Sequence, residues 1–405
     1  MRTGVATVPL DYGRCPKWLF ERMKRLSRGI FLAIREEFGP DEILKRLSDP
    51  VWFQSLGCVI GFDWNSSGLT TTTMGALKEG LKGLESDLGI FICGGKGKTS
   101  RKTPQQIQGW GEFLKYPQDK IDELIYASRI AAKIDSSLLQ DNYQIYHHNF
   151  VFSKSGKWAV IQQGMWEENS TARRYHWFSG NLKRIKDENK RDFIEEPHSG
   201  IISDLKVEPL NLIARESKQN RQISVQLVKE EPKTFLKDIA LISEKSNSLM
   251  KQRRLQINCN ISLSSATSLS DFAELELNDV EFHWHPVVRE KFDLKRLAKT
   301  IFFAKDQDPQ NFEQLLALQG IGPKTIRALS LVAEIIYGAE PSYKDPARYS
   351  FAHGGKDGTP LPVDRATFDK TIEILERGIE KSKISIREKA EARKRLKNKF
   401  QLKKV

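Results

Sequence analysis

The chain has 405 residues, which at about 150 residues per domain points to two or three domains. Hydrophobic residues at 39% and charged residues at 29% fit a folded protein with its own core and exclude a wholly disordered or membrane-embedded chain. Lys+Arg 65 against Asp+Glu 52 leaves a net charge of +13, a field that draws polyanions.

In chain order, the first twenty residues are polar and interrupted by proline, without the apolar core of a secretory signal, so a cytoplasmic location is expected. No apolar run approaches the roughly 20 residues that cross a bilayer, and no membrane association is expected. Cys15, Cys58, Cys93 and Cys259 lie far apart, without zinc-ligand spacing, and read as reduced thiols. Leu19, Met23, Leu26, Ile30 and Ile34 recur at near-helical steps and predict an amphipathic helix over Pro16 to Glu37. A second helix is expected to begin near Thr73. The run CGGKGKTSRKTP (Cys93 to Pro104) reads as a turn whose Lys96, Lys98 and successive amides could cradle a phosphate. It departs from the Walker spacing, so no ATP site is inferred.

Tyr143 to Phe152 and Lys157 to Gly164 alternate around the turn SKSGK and predict a β-hairpin. A turn centred on Ser155 pairs Phe152 with Trp158, Phe150 with Val160 and His148 with Gln162. His148 then shares a face with Phe150, Phe152 and Trp158. It reads either as a core histidine bonded to Gln162, or as a general acid/base or metal ligand. In the second case Asp63, Asp135 or Asp141 would bind a divalent cation as in nucleases, with Gln162 and Gln163 alongside. A divalent metal is the cofactor that the nuclease reading calls for. In ARRYHW (Ala172 to Trp177), Arg173 and Arg174 join cationic to stacking groups suited to nucleic acid, but strand alternation sends them to opposite faces. This first region, residues 1–205, is expected to be an α+β domain built round the hairpin and a polar pocket.

Residues 206–280 lose glycine and gain Lys, Glu, Gln and Ser, as in a connector, with a helix expected over Phe235 to Arg254 and a loop over Ser262 to Asp271. Residues 281–375 are expected to be all-α. Within them, LLALQGIGPKTIRALSLVAEII (Leu315 to Ile336) predicts two helices joined at Gly320, Ile321 and Gly322, the second starting at Pro323. The amides and dipole at that start, with Lys324 and Thr325, would face a phosphate oxygen, and Ile321 would plug the bend. Such a grip reads backbone and ignores sequence. The plain alternative is a glycine-joined helical hairpin with no ligand. Residues 376–405, with twelve Lys/Arg and four Glu, read as a basic helix or disordered tail.

Two resemblances add to this reading. RLSDPVWFQSLGCVIGFDWNSSGLTTT, CGGKGKTSRKTP, KIDSSLLQDNYQIYHHNF, QQGMW and ARRYHW resemble a conserved archaeal and bacterial family of unknown function, which supplies no activity. LxGIGxKT resembles the helix-hairpin-helix of DNA-binding proteins and of the endonuclease III-like DNA glycosylases. In the bifunctional glycosylases the lysine before the threonine is a Schiff-base nucleophile and a later VD element carries an aspartate. The resemblance places Lys324 and Asp364 there, although a phosphate contact for Lys324 and a helix N-terminal carboxylate for Asp364 are simpler roles. The chain is therefore expected to process DNA, as a glycosylase/AP-lyase, as a metal-dependent nuclease working from its first region, or as a non-catalytic adaptor. DNA is the expected partner, with RNA the alternative.

Overall fold

The structure is a computed structural model, and it describes residues 15–62, 67–184, 191–203, 205–229, 232–243, 292–347, 365–382 and 384–400. These fall into two compact units, one of residues 1–135, 142–207 and 346–405, the other of residues 136–141 and 208–345. The fold is mixed α+β. Among the described residues no helix is long and apolar enough to cross a membrane.

The first unit is organised on a five-stranded antiparallel sheet in the order β1-β3-β4-β5-β6, made of β1 (Ile90–Lys96), β3 (Gln144–Ser153), β4 (Trp158–Trp166), β5 (Thr171–Phe178) and β6 (His198–Ser203). The hairpin register is the one read from the sequence, pairing Phe152 with Trp158, Phe150 with Val160 and His148 with Gln162. A bulge between Ile145 and His147 then shifts the phase of β3. Because side chains alternate along a strand, the sheet has two distinct faces.

Helices α1 (Lys17–Phe38), α2 (Pro40–Leu47), α3 (Pro50–Ile60) and α4 (Gly68–Gly80) bury their apolar stripes with Ile90, Ile92, Val151, Ala159 and Ile161, which share one face. Each fully buried aliphatic side chain contributes about 1.5–3 kcal/mol. Helix α3 begins at Asp49, whose carboxylate accepts from the amides of Val51 and Trp52. Helix α4 starts five residues before the Thr73 expected from the sequence, with Thr70 and Thr73 both inward-facing. After the short α5 (Glu85–Leu88), helices α6 (Thr103–Phe113) and α7 (Gln118–Ser137) follow. Ring contacts of Phe91 with Trp110 of α6, and bonds from α7 described below, place these two on the opposite side of the sheet.

The central segment of the first unit ends at residue 207, and the basic C-terminus does not stand apart from that unit. The helices at Arg365–Lys381 and Ile386–Phe400 belong to the first unit, where Ile374, Leu375, Ile379, Ala392 and Leu396 join the core of α1 to α4. The pairs 375/379 and 392/396 supply an apolar stripe at helical spacing.

The second unit contains α8 (Lys218–Lys229), α9 (232–243), α10 (Leu294–Asp306), α11 (Phe312–Ala317) and α12 (Pro323–Ile335). Beside these helices, β2 (Leu139–Gln140) pairs with β7 (Leu210–Asn211) as a short antiparallel ribbon. Asn220 of α8 donates to the carbonyls of Ser330 and Ala339, and α12 buries Ile326, Leu329, Leu331 and Val332. The loop expected over Ser262 to Asp271 and the residues of the expected Phe235–Arg254 helix beyond 243 lie outside the described residues.

Candidate functional site

On the α7 side of the sheet, cross-strand pairing sets His148, Gln162 and Tyr175 in one row, with Phe150, Val160 and Trp177 in the next. Asp135, fully buried on α7, is the hub beneath them. Its Oδ2 accepts from Gln162 Nε2 at 2.5 Å and from Trp177 Nε1 at 2.9 Å, and its Oδ1 accepts from His198 Nε2 at 2.5 Å. Because the Gln162 amide nitrogen is committed to Asp135, its Oε1 must receive the Nδ1 proton of His148, 2.8 Å away. His148 Nε2 then accepts from the Ser128 hydroxyl at 2.8 Å. Burial pushes the His148 imidazole below its ordinary range. Both Asp135 carboxylate oxygens and both His148 ring nitrogens are taken by neighbours, as a buried polar network requires.

The α4 side is built differently. Lys96, His147, Gln163 and Arg174 form a continuous row across β1, β3, β4 and β5. Arg174 is 2% exposed, its guanidinium 4.7 Å from the Phe53 ring, and it donates to His176 Nε2 at 2.8 Å, Thr70 Oγ1 at 3.1 Å and Gln54 Oε1 at 2.7 Å. His176 donates from Nδ1 to the Leu47 carbonyl at 3.0 Å, which leaves Nε2 as the acceptor and the ring neutral. All of the guanidinium's hydrogen-bond partners are therefore uncharged. Burial lowers the Arg174 guanidinium to about 9. Gln163 links Thr70 of α4, the Ser67 carbonyl and the Tyr146 hydroxyl. Burial, with His148 alongside, lowers His147 to about 3. Thr73 Oγ1 has no hydrogen-bond partner although Thr73 is buried, and a hydrogen bond between the His147 and Asn149 side chains works against the effect of burial on the imidazole.

At the end of the row, β1 runs into a two-turn 3-10 helix, Gly97–Lys102, that leads into α6. Gly94 has φ +87°, and a Cβ there would stand 2.1 Å from the His148 carbonyl oxygen, so only glycine allows the two strands to approach. Lys78 of α4 donates to the Gly94 carbonyl at 2.8 Å and to Gln106 Oε1 at 2.9 Å, while Gln106 accepts from the Gly94 amide, which seals the outer edge of β1. Lys96 and Lys98 are exposed, and the Lys96 ammonium lies 5.8 Å from the Tyr146 ring centroid.

The second unit carries the glycine bend between α11 and α12. Gly320 has φ +85°, a left-handed conformation suited to glycine, and Gly322 is extended and caps α12 with Pro323 at its first position. Ile321 is 2% exposed and closes the bend from inside, while Gly320 and Lys324 face solvent. The first amides of a helix have no intrahelical acceptor, and no side chain caps them here. Thr325, at the start of α12, is buried. Gln140 pins the back of the bend, donating to the Pro323 carbonyl at 2.9 Å and accepting from Arg327.

A family model described as a protein of unknown function (DUF763) matches residues 4–363. The chain belongs to that family. No curated protein and no solved structure matches it.

In this DUF763 protein the sequence-derived candidates fall in three places. His148, Asp135 and Gln162 meet in the satisfied network, and His148 takes the bonded-core arrangement with Gln162. Asp141 is buried in the second unit, and Asp63 and Asp364 lie outside the described residues. Arg173 and Arg174 do point to opposite faces, but both are buried. Arg173 lies 4.8 Å from the Tyr143 ring and donates to the Leu205 carbonyl, so the aromatic stacking of both arginines is spent inside the fold. Among the described residues no group of three or more His, Cys, Asp or Glu is arranged to hold a metal ion. Sequence reasoning missed Thr70, Thr73, Tyr146, His147 and His198. The run of four threonines after Leu69, spaced for one helical face at positions 70 and 73, was the available signal.

Proposed function

We propose that this protein binds the sugar-phosphate backbone of nucleic acid through the Gly320–Lys324 bend, as part of DNA processing. The observation that carries the reading is an exposed glycine bend at the start of a 13-residue helix, sealed behind by Ile321 and flanked by the exposed Lys324. Uncapped amides, the positive end of the helix dipole and a lysine are the parts that hold a phosphate oxygen. The same parts make up the helix-hairpin-helix that the local sequence resembles. They contact no base edge, so affinity for duplexes of unrelated sequence is expected to be equal. The +13 net charge adds a long-range attraction that salt weakens.

Glycosylase/lyase chemistry at Lys324 is the catalytic form of this reading. A lysine nucleophile gains reactivity from desolvation, and Lys324 is exposed, an arrangement that favours phosphate contact. The two are separated by borohydride trapping on abasic-site duplex, combined with fluorescence anisotropy on unmodified duplexes. Salt-dependent binding without a Lys324-dependent covalent adduct supports backbone binding alone, and an adduct lost in Lys324→Arg supports the lyase. Absence of binding to duplex and single strand at low salt would overturn both.

A further inference from the structure

A cavity of about 560 Å³ in the first unit, bounded by α2 and the residues that follow β5, falls within the size range of small-molecule sites. Its apolar wall is made of Phe38, at the end of α1 and 40% exposed, with the buried Phe178 and Leu182. The charged part of its lining has four cations against two carboxylates. Both carboxylates are compensated within the fold. Asp41 pairs with Lys157 at 3.0 Å and accepts from the Ser153 and Ser155 hydroxyls, and Glu42 pairs with Arg46 at 2.9 Å. Lys45, Arg184 and Arg191 have no carboxylate partner among the described residues.

The placing of the two arginines sharpens that imbalance. Arg184 and Arg191 stand directly opposite each other in an antiparallel bridge, and both line the cavity. Like charges at such positions repel and oppose the pairing that brings them together, a conflict that an anion between them removes. The neighbouring Lys183 shows the ordinary solution, an ion pair with Glu195 at 3.0 Å. Arg191 is half-buried and donates to the carbonyl of Ser179, another residue of the lining, which fixes its guanidinium at the cavity wall while engaging one of its five N–H donors. Guanidinium forks match the oxygens of a phosphate, and three uncompensated cations suit a phosphomonoester, with its charge of about −1.5 to −2, better than a single carboxylate. A partly exposed phenylalanine ring beside them suits the flat face of a base.

We propose that this cavity binds a nucleoside monophosphate, with Lys45, Arg184 and Arg191 holding the phosphate and Phe38 receiving the base. Its source is either a free nucleotide or the 5′-terminal nucleotide of a strand. The cavity and the glycine bend belong to different units, so the two readings fail or succeed separately.

The test is isothermal titration of the full chain with adenosine, guanosine, cytidine and uridine 5′-monophosphates, in wild type, Arg184→Gln and Lys45→Gln, with the matching nucleosides and inorganic phosphate as comparators. Saturable binding of at least one nucleotide is expected, at least about tenfold tighter than its nucleoside or phosphate and weakened about tenfold by Arg184→Gln. The melting temperature of Arg184→Gln without nucleotide should not fall, since the change relieves the opposed arginines. Lys45→Gln, at an exposed position on another element, serves if Arg184→Gln does not fold. Displacement of the nucleotide by a short 5′-phosphorylated oligonucleotide, but not by its 5′-hydroxyl counterpart, assigns the site to strand ends; displacement by neither assigns it to free nucleotides. Gly322→Asp should leave nucleotide binding intact. The proposal is overturned if neither a nucleotide nor the 5′-phosphorylated strand binds saturably, if phosphate or the nucleosides bind as tightly, if both oligonucleotides displace equally, or if both variants bind as the wild type does.

Discussion

The two faces of the five-stranded sheet are covered by helices and both carry buried polar groups, yet they close their hydrogen bonds in opposite ways. Beneath α7, Asp135 gathers Gln162, Trp177 and His198, and Gln162 passes the chain to His148 and Ser128, so that donors and acceptors match. Beneath α4, Arg174 meets only neutral acceptors, and the buried Thr73 hydroxyl has no hydrogen-bond partner. A matched network explains itself by the stability it gives. An unmatched hydroxyl or an uncompensated guanidinium is retained at a cost in stability.

Acid breaks both faces, and it gives the largest expected effect. His147 and His148 are held below their ordinary value by burial, and His176 is held well below it by burial with Arg174 alongside. The unfolded chain takes up protons near pH 6.5, whereas the folded imidazoles stay neutral to much lower pH. Stability is therefore full above about pH 6.5 and falls as pH drops below it, by up to about 1.4 kcal/mol per pH unit for each group. Urea denaturation at pH 7, 6 and 5 checks this: a midpoint that stays constant between pH 7 and 5 would show that the three rings are not buried and neutral.

Asp135→Asn separates the faces. It places an amide among three donors and removes the charge that strengthens their bonds, with an expected loss of about 3 kcal/mol. On the other face, Thr73→Val should change stability by no more than about 1 kcal/mol, because no partner is left behind. Equal losses in the two variants, measured by chemical denaturation at pH 7.5, would erase the distinction between a matched and an unmatched layer.

The parts of this arrangement differ in how far local sequence specifies them. The β3–β4 register is fixed by a five-residue turn and strict alternation on both sides, both of them local, and so was legible to the residue. Alternation also told that Arg173 and Arg174 diverge. It could not tell that both are buried, because that depends on α3 and α4 covering one side and on Tyr143 and Leu205 on the other. The bend at Gly320 was legible because glycine and proline act on the backbone where they stand. The second unit joins residues 136–141 to 208–345, and the C-terminal helices join the first unit; such long-range associations leave no local mark. The polar row on the α4 side was hidden for the same reason: Lys96, His147, Gln163 and Arg174 come from β1, β3, β4 and β5, and only sheet order brings them into one row.

The claim that the glycine bend grips nucleic-acid backbone is tested most directly by salt-titrated anisotropy on a duplex, comparing wild type with Gly322→Asp. Gly322 is extended, and no atom lies within 4 Å of the position its Cβ would take. The new carboxylate would cap α12 and leave its fold intact, while placing negative charge where a phosphate oxygen must sit. The expected result is an undiminished melting temperature, binding at least about tenfold weaker and a shallower dependence on salt. Wild-type affinity and an unchanged salt slope in Gly322→Asp would contradict the account.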